Sequence, residues 1–152
     1  MRKIEITAFG LAERFIGVKE IFGVASNPMI LSMLKLDEQW PTADEVPWCS
    51  AFVNYICWLL RLPRSKSLSA RSWLRLGSSA FPGGGEVGFD VVILKCGKGD
   101  QPGPEVVKAP GHVGFFGGIE GNEILVLGGN QGDAVNVSRF DKDLVLGIRR
   151  IY

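Results

Sequence analysis

The chain is predicted to fold as an α+β domain whose N-terminal helices pack on one face of an antiparallel β-sheet. Three observations predict this. Apolar residues recur at helical spacing through the first half. Short β-branched or aromatic runs, separated by glycine, asparagine or aspartate turns, fill the second half. No linker, internal repeat or low-complexity tract divides the 152 residues. A chain of that length suits one domain, residues 1–152, able to bury a core without disulfides or a structural metal.

The helical half reads in order. Ile4, Ala8, Leu11, Ala12, Phe15 and Ile16 line one helical face, and Gly17 supplies the stop. Asn27-Pro28 is a start signal, because the amide caps free N–H groups and proline fits the first helical position. The helix it opens carries Ile30, Leu31 and Leu34 and should end near Leu36. The stretch Asp37 to Pro47 holds charges, two prolines and Trp40, and reads as a loop. An apolar helix then runs from Ala51 to Leu60, ahead of Pro63, and a short one from Ala70 to Leu76, closed by Gly77. Trp58 and Trp73 read as helix packing.

Pro82-Gly83-Gly84-Gly85 ends that half. The runs Asp90–Leu94, His112–Phe116, Glu123–Leu127, Val135–Ser138 and Leu144–Ile148 read as strands, with Gly121-Asn122 as a hairpin turn between the second and third.

Composition removes several classes of function. The formal net charge of +1 gives no bulk attraction to nucleic acid, and no apolar run approaches the ~18 residues of a membrane span. Glu5 follows Arg2-Lys3 at once and no apolar signal core appears, so synthesis in the cytoplasm without a secretion signal is expected. Cys49, Cys57 and Cys96 form no CxxC pair and the chain has a single histidine, so no metal site and no cofactor is expected.

Cys49 stands directly before an apolar helix, where free amide groups and the helix dipole favour an anion and activate a thiol. The competing reading is a buried small hydrophobe, which is how Cys57 and Cys96 are taken. His112 follows Pro110-Gly111 and opens a strand, so its ring can project from a sheet edge as a general base. Asn130 ends the next strand after Gly128-Gly129, where it can hold the imidazole tautomer; its competing reading is a turn residue.

The strings Pro47-Trp48-Cys49-Ser50-Ala51-Phe52-Val53-Asn54, Ser69-Ala70-Arg71-Ser72-Trp73-Leu74, Gly111-His112-Val113-Gly114-Phe115 and Gly128-Gly129-Asn130-Gln131-Gly132-Asp133-Ala134-Val135-Asn136 resemble a phage and prophage family of small cell-wall hydrolases, which is similar to the CHAP and NlpC branches of the papain-like superfamily. The likeness extends from Gly17-Val18-Lys19-Glu20 and Asn27-Pro28 to Leu146-Gly147-Ile148-Arg149-Arg150.

The resemblance implies a minimal papain-like core with Cys49 as nucleophile, His112 as base and Asn130 as orienting residue, cutting an amide bond of peptidoglycan as an amidase or endopeptidase. Many CHAP enzymes carry an acidic third residue at the position held here by Gly128, which leaves Gln131 and Asp133 as alternatives to Asn130. Trp48, Ser50 and Gln131 are candidates for substrate contact, with core packing as the stronger reading of Trp48 and Trp40 as a second groove wall; Arg71 and Lys66 could meet acidic peptide carboxylates, but read first as solvated residues of a serine-rich loop. The expected setting is a monomeric phage endolysin, made in the host cytoplasm and acting at the wall. An exported antibacterial effector, a cysteine protease or deamidase acting on a protein, and a non-catalytic binding or virion domain are the alternatives.

Overall fold

A computed structural model of the chain describes residues 2–23, 26–36, 47–81 and 84–152. Trp40 and most of the Asp37–Pro47 loop, together with Pro82 and Gly83, lie outside the described residues.

The first helix is shorter than its apolar pattern predicts. Thr7 Oγ1 accepts from the Gly10 N–H at 3.0 Å and starts α1 at Ala8, so α1 spans only Ala8–Ala12 before tightening into a 3-10 turn, Glu13–Phe15. Residues 2–7 are not helical, and Ile4 is 92% exposed. The second helix, α2 (Pro28–Leu34), begins as its signal predicts, with Asn27 Oδ1 accepting from the Met29 N–H at 2.9 Å and proline at the first position; it stops two residues early.

The central helix, α3 (Cys49–Leu59), buries nearly its whole first two turns between the other helices and the sheet. Trp58 departs from its packing assignment: it lies half exposed on the outer side of α3, tilted against Tyr55 at 5.9 Å. The predicted helix at Ala70–Leu76 is a 3-10 segment, Ala70–Arg75, which buries Trp73.

Six strands follow: β1 (Ser78–Ser79), β2 (Asp90–Lys95), β3 (Gly111–Glu120), β4 (Glu123–Gly128), β5 (Asn136–Asp141) and β6 (Val145–Arg150). They form one antiparallel sheet in the order β1-β6-β2-β3-β4-β5. The five predicted runs become β2 to β6, and Gly121-Asn122 makes the two-residue turn between paired Glu120 and Glu123. The strand β1 was not legible: two exposed serines carry no alternation, and they pair only because Arg149 and Arg150 run alongside.

Alternation along the strands splits the core. Val91, Ile93, Val113, Phe115 and Leu127 join the helices in the larger cluster, while Val92, Leu94, Phe116, Ile124, Val126 and Ile148 form a smaller one. The result is an α+β fold with a few helices on a six-stranded antiparallel sheet.

Candidate active site

The α3 N-terminus is carried to the sheet by packing around Trp48. This indole is fully buried, donates from Nε1 to Glu20 Oε1 at 2.8 Å, and lies over Gly129, where an added Cβ would stand 2.5 Å from the ring. Trp48 therefore joins three segments of chain, and its face is not open to a ligand. Cys49 follows at 5% exposure.

The backbone N–H groups of Val113, Ser50 and Cys49 itself face the Cys49 thiol, and each favours its anion. Burial opposes them and wins, so the thiol titrates above its ordinary range. Val113 immediately follows His112, so the nucleophile candidate and the only histidine flank the same peptide of β3.

His112 Nε2 lies 2.9 Å from Gln131 Oε1. The roles in this contact follow from the other end of the amide. Gln131 Nε2 donates to the backbone oxygens of Val126 (3.1 Å) and Asn136 (2.8 Å) and to Asn136 Oδ1 (2.9 Å), all acceptors. An oxygen there would meet only oxygens, so Oε1 must face the histidine and accept. His112 Nε2 then carries the proton, and Nδ1 keeps the free lone pair. Burial holds the imidazole below its ordinary pKa despite the Gln131 bond, which pulls the other way.

Gln131 can reach because residue 128 is glycine. An added Cβ at Gly128 would stand 2.6 Å from Gln131 Oε1 and 3.3 Å from His112 Nε2. The space a side chain at 128 would take is filled by the longer arm from 131.

Asn130 sits in the left-handed region at φ +56°, and Gly132 and Asp133 share that conformation at φ +60° and +61°. Asp133 is exposed, and its backbone oxygen accepts from the Glu20 N–H. The loop is held from outside by pairing of Lys19 with Ala134 and by the Gly17 N–H on Val135 O and the Val135 N–H on Val18 O.

Ser50 is fully buried. Its Oγ donates to Ser67 O at 2.6 Å and accepts from Trp73 Nε1 at 2.9 Å, which pins the chain after α3 to the helix and leaves no surface for substrate. Arg71 is fully buried too, against its reading as an exposed substrate contact. Its guanidinium donates to the backbone oxygens of Pro102, Gly103, Val106 and Pro110 at 2.8 to 3.0 Å. It thereby ties down the loop that delivers Gly111 and His112 to β3. Lys66 is exposed, at φ +53°, with its N–H on Asn54 Oδ1.

A cavity of about 490 Å³ opens at His112, walled by Lys95, Cys96, Asn130, Gln131, Phe140 and Leu144 among others. Cys96 is therefore a cavity residue rather than a buried one. Comparable hollows beside Ile4–Arg14 (560 Å³) and at the C-terminal end of α3 (540 Å³) bring no cysteine or histidine to their walls. Among the described residues no cluster of three or more His, Cys, Asp or Glu side chains stands ready for a metal ion, and no helix is long and apolar enough to cross a membrane.

No family model and no curated protein sequence matches the chain. Among solved structures it is similar to NlpC1 from Trichomonas vaginalis, with 15% sequence identity and a TM-score of 0.53 over 98% of this chain and 46% of that one. The chain thus spans under half the length of that neighbour, and at such identity the likeness is one of fold. The helices on their six-stranded antiparallel sheet share the fold of that NlpC1 neighbour.

Proposed function

We propose that the chain is a thiol-dependent hydrolase of peptidoglycan, an amidase or endopeptidase, with Cys49 as nucleophile, His112 as general base and Gln131 in the orienting role that sequence assigned to Asn130. The observation that carries this is the forced tautomer. The bonds of Gln131 leave the free lone pair on His112 Nδ1, and Cys49 meets the N–H of Val113, the residue that follows His112.

With the thiol pushed up and the imidazole down, the resting pair is neutral, and proton transfer accompanies attack. Nδ1 takes the thiol proton as sulfur bonds to the scissile carbonyl carbon. The oxyanion is met by N–H groups at the start of α3, which need no reorganisation. The tetrahedral species collapses with loss of the amine, which leaves with the proton from the imidazolium, and a thioester remains on Cys49. Water, deprotonated by the same Nδ1, attacks the thioester, and the thiol is re-formed.

The wall substrate rests on the four motif strings and is supported by the NlpC-like fold of a solved neighbour. The same resemblance makes phage-driven lysis of a host the proposed setting. The test is incubation of wild type, Cys49→Ala and His112→Ala with isolated Gram-negative sacculi, with mass spectrometry of the released fragments. New amino termini from wild type alone support the reading and name the bond. Intact sacculi from pH 5 to 9 with reductant present would overturn it.

A further inference from the structure

The edge strand β5 turns three alternate side chains, Asn136, Ser138 and Phe140, toward the site, while Val137, Arg139 and Asp141 face solvent. We infer that Asn136 and Phe140 are positioning residues for His112: Asn136 holds Gln131, and Phe140 covers the imidazole. This rests on the assignment of His112 as the base, but it concerns a part of the chain that neither the motifs nor the third-residue question touches.

Asn136 grips Gln131 at both ends. Its Oδ1 accepts from Gln131 Nε2 at 2.9 Å, and its Nδ2 donates to the Gln131 backbone oxygen at 2.7 Å. Ser138 Oγ donates to the same Oδ1 at 2.6 Å, which fixes the Asn136 amide in turn. The backbone of Gln131 is held on its oxygen by that Asn136 Nδ2 bond and on its N–H by Ala134 O at 3.0 Å. Without the Nδ2 bond the loop can relax, and the Gln131 amide can leave His112.

Phe140 lies against the imidazole with ring centroids 5.4 Å apart and planes inclined by 31°. It is itself seated on the smaller apolar cluster. His112 otherwise faces a cavity, so this ring is the apolar wall that limits water at the Nε2–H···Oε1 bond. Exclusion of water disfavours the imidazolium, the same direction in which burial pushes His112. The other titratable or charged groups around the ring are Lys95 and Cys96 at the end of β2, Arg139 on β5 paired with Glu120, and Cys49 on α3 beyond Val113.

Because the chain has one histidine, its imidazole can be followed without assignment ambiguity by ¹³C and ¹⁵N NMR, and no substrate is needed. Wild type should show the Nε2–H tautomer. Phe140→Ala should raise the imidazole pKa toward the ordinary 6.5, and Phe140→Leu, which keeps an apolar cover, should hold it near wild type. Asn136→Ala should give a mixed tautomer population. If sacculi are cleaved, each of the two alanine variants should lose about tenfold in kcat/KM, a fraction of the ~10²–10⁴ a general base supplies. A wild-type Nδ1–H tautomer overturns the inference even if the variants fail to fold. So does a folded Phe140→Ala or Asn136→Ala with wild-type tautomer and pKa. Loss of the hydrolase reading alone leaves these NMR outcomes unchanged, so the two failures are distinguishable.

Discussion

Replacing Gln131 with glutamate is the sharpest perturbation of the site, because the two side chains are nearly isosteric. One carboxylate oxygen would take the place of Oε1 and accept from His112. The other would stand where Nε2 now donates, facing Val126 O, Asn136 O and Asn136 Oδ1 at 3.1, 2.8 and 2.9 Å. Two N–H···O bonds of about 1 kcal/mol each are lost, and buried carbonyl acceptors are left unpaired at about 1–3 kcal/mol more. The expected destabilisation is therefore about 3–5 kcal/mol by urea denaturation. Relief requires a proton on the carboxylate. Its folded pKa is raised above the ordinary ~4.3, so the deficit should be full above the folded value, shrink as pH falls through it, and reach its minimum once pH is below about 4.3. Turnover should fall despite the more basic partner. A Gln131→Glu protein as stable as wild type within 1 kcal/mol at pH 7, or more active, would refute the forced-tautomer argument.

Further outcomes follow from other parts of the structure. Arg71→Met should cost about 3–5 kcal/mol and expose residues 102–110 to limited proteolysis, since four backbone oxygens lose one buried cation; Arg71→Lys, without the planar fork, should recover less than half. Gly129→Ala should lower stability by about 1–3 kcal/mol and quench-shift Trp48 fluorescence, because the new methyl would overlap the indole and stand 2.9 Å from Phe52 Cβ. Above pH 9.0 the unfolded chain's Cys57 ionises, whereas burial pushes the folded thiol up to about 12. Native stability should thus fall by about 1.4 kcal/mol per pH unit across that window, and Cys57→Ala should flatten the slope in parallel denaturation series. His112 acts at the other end: its folded pKa is lowered, so stability present above 6.5 is lost as pH falls through the folded value, and His112→Gln should remove that loss.

What sequence reasoning reached depended on how local the signal was. The Asn27-Pro28 start, the apolar helix after Trp48 and the two-residue turn at Gly121-Asn122 are short-range effects, and each appears where it was expected. The first helix is shorter than its pattern because Ile4 fits the helical stripe of Ala8, Leu11, Ala12, Phe15 and Ile16, although the Thr7 cap starts the helix only at Ala8 and leaves Ile4 exposed. Arg71 sits in a serine-rich stretch that reads as solvated; its four partners are 31 to 39 residues away, and nothing local announces them.

The same limit applies within the site. Cys49 and His112 were marked by their positions at a helix start and a strand start. That Gln131 reaches His112 could be seen only from the fold, where Gly128 leaves a vacancy for the longer arm. The inward row of β5 carried a legible alternation, Asn136, Ser138, Phe140, but the run was read as ending at Ser138, so the aromatic at 140 was not connected with His112.

The central claim is that Cys49 forms a covalent acyl intermediate with His112 as its base, and trapping that species tests it most directly. Wild type mixed with a muropeptide substrate and quenched in acid within milliseconds should gain the mass of the acyl half, mapped by peptide digestion to Cys49. His112→Ala should show no such adduct on the same timescale. Turnover without acylation of Cys49, or an adduct on Cys96 instead, would contradict the account.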